Sequence, residues 1–133
     1  MAKTMNTPEN ITELKPNQVI VVSTNLAGYH GAGAALTARQ LFGLVLYECF
    51  GHFGQTFAIP TKDYRIKTLS LEAIEFFIKD FLLYAIDHPE IEFLVTKIGC
   101  GLAGYKYSDI APFFKNKPEN VILPYDFELI NNE

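Results

Sequence analysis

Residues 19–43, VIVVSTNLAGYHGAGAALTARQLFG, contain the strongest fold signal in the chain. The run from Val19 to Ser23 is short, continuous and rich in β-branched side chains, which is typical of a strand buried on both faces. A glycine-rich turn follows over residues 25–33, and residues 34–42 place apolar side chains at helical spacing before Gly43. This segment therefore predicts a central strand, a glycine-rich turn and a helix.

The same order returns near the end of the chain. Residues 91–96, IEFLVT, predict a second apolar strand, and GCGLAG follows at residues 99–104. A short helix is predicted from about Ser108, as its N-cap, to Phe114. Strand, glycine loop and helix thus occur twice.

The intervening and terminal segments supply the remaining elements. Residues 70–89 predict the best helix, with Ser70 as N-cap and apolar residues at helical spacing up to Asp87-His88-Pro89. Short strands are predicted at 57–59, stopped by Pro60, and at 120–124, whereas residues 45–50 fit either a continued helix or a strand. Residues 1–17 read as a polar lead-in and residues 128–133 as a frayed tail.

Alternation of strands and helices predicts an α/β fold, a three-layer α/β/α sandwich with a mostly parallel, mixed central sheet. The 133 residues suit one domain with a single core, and the composition of 49% hydrophobic and 20% charged residues is that of a globular protein. We therefore expect one domain over residues 1–133.

Charge and cysteine usage narrow the range of partners. The formal net charge is -4 and the basic residues are scattered singly, so a long nucleic acid is not expected as a partner. No segment predicts a signal peptide or membrane span, and Cys49 and Cys100 form no metal-ligand spacing with the histidines. We expect a cytoplasmic protein with no metal and no cofactor, and the sequence leaves its oligomeric state open.

The two glycine loops are the candidate site. Loops that follow parallel strands face one crevice at the carboxyl edge of a sheet, and glycine allows the backbone to approach a ligand closely. Backbone N–H groups at a helix start can then donate to phosphate oxygens, which suits a diphosphate. Each loop alone is equally explained by tight turns and close helix packing, but the occurrence of both after apolar strands favours a binding site.

Several segments of the chain together resemble a known family. They are the strand ending in Asn25, the glycine loop and helix after it, the string IPT, the helix TLSLEAI, and the segment IGCGLAGY before SDIAPFF. The family that they resemble is the macro domain family. The resemblance runs from about Val19 to Pro124 and is strongest over residues 98–114. It extends to small bacterial and phage proteins that carry NLAGxHGAGAA and AIPTKD. It implies binding of ADP-ribose and, in some members of the family, hydrolysis of its derivatives.

The resemblance also implies roles for particular residues. Asn25 would hold the distal ribose, and Tyr105 would cover it. The first phosphate loop would comprise Gly31, Ala32, Gly33 and Ala34, and the second Gly99, Cys100, Gly101, Leu102, Ala103 and Gly104. Family members present an acidic residue to adenine near the first strands, and Glu13 is the candidate here.

A few side chains have a chemical and a structural interpretation. His30 is either a ligand-contacting acid or base or an exposed loop histidine, while His52 and His88 are interpreted as structural. Cys100 lacks a base in its own segment, so a small packing residue is favoured over a nucleophile. Lys62 and Asp63 are secondary candidates for the crevice, although a solvated turn is the commoner explanation for such a pair.

Three functions follow from these interpretations. The first is a binding or sequestering module for ADP-ribose or a related nucleotide diphosphate. The second is a hydrolase of ADP-ribosyl groups or ADP-ribose-1''-phosphate, in which Asn25 orients the ribose and a bound water attacks. The third is a structural or interaction domain whose glycines serve the fold alone.

Overall fold

The computed structural model describes residues 5–133, and within them five strands form one mixed sheet. The strands are β1 (Gln18–Asn25), β2 (Gly51–Phe53), β3 (Thr56–Lys62), β4 (Glu92–Val95) and β5 (Val121–Ile122). Their spatial order is β2-β3-β1-β4-β5, and three of the four pairings are parallel, with β2 antiparallel to β3. The prediction of β1 as the middle strand is confirmed.

Helices cover both faces of this sheet. They are α1 (Gly33–Leu41), α2 (Leu71–Ile86), α3 (Tyr107–Ile110), a 3₁₀ helix (Ala111–Phe114) and α4 (Tyr125–Asn131). Successive β1 side chains point to opposite faces. Ile20 and Val22 pack in the cluster of α1, whereas Val19 and Val21 pack in the larger cluster that contains α2, the 3₁₀ helix and α4. The predicted three-layer α/β/α sandwich is confirmed.

Helix α2 shows how the sequence specifies its own ends. The Ser70 hydroxyl accepts a hydrogen bond from the N–H of Ala73 at 3.1 Å, as an N-cap should. The buried face of α2 is formed by Ile74, Ile78, Phe81 and Ala85. Each of the three larger side chains contributes roughly 1.5–3 kcal/mol by leaving water. Beyond the other end, the Asn120 amide lies 3.0 Å from the carbonyl oxygens of Ala85, His88 and Ile91. The first two also accept from the N–H groups of His88 and Ile91, so the amide joins the end of the helix to the turn that follows it.

Strand β3 runs through Pro60 to Lys62, so the prediction that proline stops this strand is wrong. Strand β2 pairs only with residues 56–58, which leaves β3 without a neighbour on that side at Pro60. Proline is tolerated where a strand is an edge, because its missing N–H is not needed there. The segment 45–50 forms neither a helix nor a strand but a loop.

The C-terminal part also differs from expectation. Helix α3 begins at Tyr107 with Lys106 as its N-cap position, so Ser108 is not the N-cap; the Asp109 carboxylate accepts from the N–H of Lys106 at 3.0 Å. Residues 128–131 belong to α4 rather than to a frayed tail, because the Asn131 amide donates to the Ala111 carbonyl at 2.8 Å.

The polar lead-in is joined to the sheet over the part that the structure describes. The N–H and hydroxyl of Thr7 donate to the carbonyls of Leu123 and Ile122, and Ile11 and Leu14 pack on the α1 side of the sheet. Residues 1–4 of the predicted lead-in lie outside the described residues. No helix within residues 5–133 is long and apolar enough to cross a membrane.

Candidate functional site

A cleft of about 630 Å³ lies at the carboxyl edge of the sheet. Strands β3, β1 and β4 are neighbours in that order, so the loops that leave them meet there. The ends of β1 and β3 contribute Asn25 and Lys62, and Thr96 follows β4. Both predicted glycine loops line this cleft together, although the end of the first, at residue 34, and the start of the second, at residue 99, are 65 positions apart.

The first loop brings Gly31, Ala32, Gly33 and Ala34 to the cleft. Gly33 begins α1 with a φ of +62°, which L side chains rarely adopt. No side chain of the described residues caps this helix, and the N–H groups of Gly33, Ala34 and Ala35 have no acceptor within residues 5–133. These donors and the positive end of the helix dipole are available to an anion.

The second loop brings residues 99–103 to the same cleft. The N–H of Gly99 donates to the Ser23 hydroxyl at 3.1 Å, which fixes this loop to β1. A Cβ on Gly99 would lie 3.2 Å from Ile110, and its φ is +75°, so glycine is required there by the fold. At Gly101, by contrast, φ is not positive and a Cβ would meet no atom within 4 Å.

Asn25 lines the cleft, but its side chain is engaged with its own loop. Its Nδ2 donates to the Tyr29 carbonyl at 2.8 Å, and its Oδ1 accepts from the Tyr29 N–H at 3.1 Å. Gly28 lies at the centre of this turn with a φ of +72°, and a Cβ there would lie 2.2 Å from the Tyr47 carbonyl carbon. The Asn25 amide therefore shapes the loop that presents Tyr29 to the cleft.

Several predicted residues do not line the cleft. His30 is 2% exposed, so it is neither an exposed histidine nor a cleft residue; its Nε2 donates to the Glu48 carbonyl at 2.9 Å. The Tyr105 hydroxyl donates to the Leu69 carbonyl at 2.7 Å, and Gly104 also lies off the cleft. Asp63 accepts hydrogen bonds from its own turn. Glu13 lies at a separate cavity of about 260 Å³.

The remaining histidines have structural partners. Tyr84 donates its hydroxyl to His52 Nδ1 at 2.5 Å, while His52 Nε2 donates to the Gly54 carbonyl at 2.8 Å. His88 stacks on the Tyr84 ring and donates from Nδ1 to the Tyr84 carbonyl at 2.7 Å. Within residues 5–133, no group of three or more His, Cys, Asp or Glu side chains could hold a metal ion.

Cys100 lines the cleft as a protonated thiol. Burial raises the pKa of its thiol to about 11, and its Sγ lies 3.4 Å from the Ile98 carbonyl that it can donate to. Because the thiolate is the nucleophilic form, this environment disfavours a covalent role near neutral pH. The structure places Cys100 as a small, half-buried side chain between two glycines.

Two lysines line the cleft, and they differ in whether a carboxylate neutralises their charge. Lys97 Nζ lies 3.0 Å from Asp126 and 3.3 Å from Glu9, and 5.2 Å from the centre of the Tyr107 ring. The hydrogen bond to Asp126 is the main reason that the pKa of Lys97 is raised. Lys62 forms no salt bridge with any described residue, so its charge is available to a ligand.

Sequence reasoning missed part of this lining: Ser23, Thr24, Tyr29, Ala35, Thr61, Ile66, Thr96, Lys97 and Tyr107. The serine and the three threonines among them stand at or just after the ends of predicted strands, a position that identifies crevice residues in open sheets. Ile66 and Tyr107 carry no such signal, because their positions depend on the folding of loops.

No protein-family model and no curated protein matches this sequence. Two solved structures share its fold. Thermosipho africanus DarTG in complex with ADP-ribose superposes with a TM-score of 0.62 at 18% identity, over 82% of this chain and 38% of that one. A protein of unknown function from Bacteroides thetaiotaomicron superposes with a TM-score of 0.57 at 17% identity, over 80% of this chain and 87% of that one. The likeness supports a macro-like fold.

Proposed function

We propose that this protein binds ADP-ribose or a related nucleotide diphosphate between its two glycine-rich loops, as a binding or sequestering module. The observation that carries the proposal is that both loops line one cleft at the carboxyl edge of the sheet. Each loop has a glycine, Gly31 in the first and Gly101 in the second, whose added Cβ would meet no atom within 4 Å. Such positions allow a ligand to approach the backbone.

The charges of the cleft suit a diphosphate held mainly by the backbone. The free N–H groups of Gly33, Ala34 and Ala35 lie at the positive end of α1, and this arrangement binds phosphate in many proteins. Lys62 adds one positive charge without a protein counterion among the described residues. A compact anion is thereby favoured over a polymer that needs many cations.

The size and apolar side chains of the cleft suit a ligand larger than phosphate. Its volume of about 630 Å³ lies within the range of roughly 300–1,000 Å³ that is usual for small-molecule sites. Tyr29, Ile66 and Leu102 line it while remaining at least 48% exposed, so they offer apolar surface to a sugar or base. The structural neighbour that was solved with ADP-ribose supports the choice of ligand.

Binding is favoured over hydrolysis by the chemistry of the lining. Within the described residues, the cleft is lined by no carboxylate and no histidine, and its Cys100 thiol has a raised pKa. A general base must lie within hydrogen-bond reach of the proton that it removes. His30 is buried outside the cleft lining and donates to the Glu48 carbonyl, so it does not meet this requirement. The hydrolase alternative predicts release of phosphate from ADP-ribose-1''-phosphate, or loss of ADP-ribose from a modified protein, and we expect neither.

A purely structural role for the glycine loops is also disfavoured. If the loops served only the fold, each glycine would be needed for its φ or for space. Gly99 meets that expectation, whereas Gly31 and Gly101 have neither a positive φ nor a neighbour within 4 Å of an added Cβ.

The proposal is tested by thermal melts of the protein with ADP-ribose, its cyclic and 1''-phosphate forms, NAD, AMP and phosphate. A ligand present at about a hundred times its Kd adds about 2.7 kcal/mol to the stability of the folded state. We expect a rise in Tm that is selective for ADP-ribose forms. No rise with any ligand of the panel would contradict the proposal.

A further inference from the structure

The loop over residues 62–68, here called the Ile66 loop, forms one wall of the cleft. Lys62 and Thr68 pair as an antiparallel bridge at its base, and the N–H of Asp63 donates to the Lys67 carbonyl at 2.7 Å. The Thr68 hydroxyl donates to the Ala103 carbonyl at 2.8 Å, which joins this loop to the second glycine loop. The Ile66 loop is therefore an ordered part of the cleft wall.

Ile66 is held in an unfavourable backbone conformation at the cleft. Its φ is +64°, a value that is rare for a β-branched residue because the side chain crowds its own backbone. It is also 48% exposed while lining the cleft, so its side chain contributes little to the stability of the folded state. Strain of this kind persists when the surrounding structure imposes it, and it concentrates at ligand sites.

Asp63 is the residue that imposes this conformation. Its Oδ1 accepts from the N–H groups of Arg65 and Lys67 at 2.8 and 3.0 Å, and its carbonyl accepts from the N–H of Ile66 at 3.1 Å. The hydrogen bonds from Lys67 and Arg65 hold the pKa of this carboxyl below its ordinary value, so it is ionised at neutral pH. Asp63 does not itself line the cleft.

We propose that Ile66 is a specificity-determining residue that contacts the sugar or base of the bound nucleotide, and that Asp63 is the positioning residue that holds it in the cleft. This inference rests on the proposed function, and it deepens that function by assigning the apolar part of the ligand to the Ile66 loop. A bare phosphate would gain nothing from such a contact, whereas a nucleotide gains buried apolar area.

The test is calorimetric titration of ADP-ribose into Ile66 variants, with thermal melts of each. Ile66→Ala should weaken binding roughly threefold to tenfold, because about half of the side chain is available for burial by a ligand. Ile66→Gly should weaken binding at least as much without lowering Tm, because glycine accepts the positive φ. Tyr64→Ala is the matched control: Tyr64 is on the same loop, is 73% exposed and does not line the cleft, so its removal should leave the Kd unchanged.

Three further variants test the positioning role of Asp63. Asp63→Ala should weaken ADP-ribose binding, and Asp63→Asn should restore most of it, because an amide oxygen still accepts from the Arg65 and Lys67 N–H groups. In the Ile66→Ala background, Asp63→Ala should cause no further loss, since the two residues act through one contact.

The outcomes separate this inference from the proposed function. If the unchanged protein does not bind ADP-ribose, both are wrong. If the unchanged protein binds ADP-ribose, and Ile66→Ala and Ile66→Gly bind it just as tightly, only the role of Ile66 is overturned. Independent, additive losses from Asp63→Ala and Ile66→Ala would overturn the positioning role.

Discussion

Replacing Gly101 by alanine separates a binding role of the second glycine loop from a structural one. Gly101 lines the cleft, its φ is not positive, and an added Cβ would meet no protein atom within 4 Å. The fold can therefore accept alanine. A phosphate that lies against the backbone of this loop would instead collide with the new methyl group.

The expected magnitudes have opposite signs for folding and for binding. A glycine replaced by alanine at an unstrained position stabilises a protein by about 0.4–1 kcal/mol, because the unfolded chain loses freedom. Loss of one charge-assisted hydrogen bond to the ligand costs about 1.5–3 kcal/mol, or roughly ten- to a hundredfold in Kd. Gly101→Ala should thus have an equal or slightly higher Tm and much weaker ADP-ribose binding.

Thermal melts and calorimetry on the same preparations measure both quantities. Gly33→Ala is the variant to compare with Gly101→Ala, because the φ of +62° at Gly33 makes alanine strained even though the space is open. It should lose about 1–2 kcal/mol of stability as well as affinity. If Gly101→Ala binds ADP-ribose as tightly as the unchanged protein, the second loop does not hold the ligand and the reasoning is refuted.

Three further predictions concern stability and reactivity. Gly28→Ala should cost about 2–5 kcal/mol in denaturant unfolding, because its Cβ would lie 2.2 Å from the Tyr47 carbonyl carbon at a positive φ; a loss below about 1 kcal/mol would contradict this. Asn120→Ala should cost about 1–3 kcal/mol by removing the amide that donates to three carbonyls near the end of α2; those of Ala85 and His88 keep a backbone N–H donor, and an unchanged urea midpoint would show that water replaces the amide at the Ile91 carbonyl. Burial raises the pKa of the Cys100 thiol to about 11, so its alkylation by iodoacetamide, followed by mass spectrometry, should be slow at neutral pH and accelerate as the pH rises toward that value. Bound ADP-ribose should slow the alkylation. Rates equal to those of a free thiol at neutral pH would contradict the assignment.

The elements that the sequence predicted well are those with local signals. Strand β1 and helix α2 were placed correctly because β-branched runs, helical periodicity and an N-cap such as Ser70 act within a few residues. The meeting of the two glycine loops was also predictable, because loops that follow neighbouring parallel strands share one edge of the sheet.

The predictions that failed depend on contacts across the chain. Pro60 is tolerated in β3 because β2 is too short to reach it, and the length of β2 is not visible from the residues around Pro60. Residues 128–131 continue α4 because that helix packs on the 3₁₀ helix through Asn131 and Ala111. Local polarity alone therefore indicated fraying where tertiary contacts stabilise a helix.

Individual site residues were hardest to place. His30 is adjacent to the first glycine loop in sequence, yet its ring is buried and donates to the Glu48 carbonyl, 18 residues away. Ile66 reaches the cleft through a left-handed backbone that Asp63 holds in place. An aspartate just after a strand is a recognised turn signal, but it does not reveal which side chain the turn presents.

The most direct test of the central claim is a calorimetric titration of ADP-ribose into the unchanged protein, with AMP and inorganic phosphate titrated separately. We expect one ligand to bind per chain, with ADP-ribose tighter than AMP or phosphate because both glycine loops and the apolar side chains of the cleft are engaged together. If ADP-ribose binds no more tightly than phosphate, or gives no binding heat or Tm shift, the cleft is not a nucleotide diphosphate site.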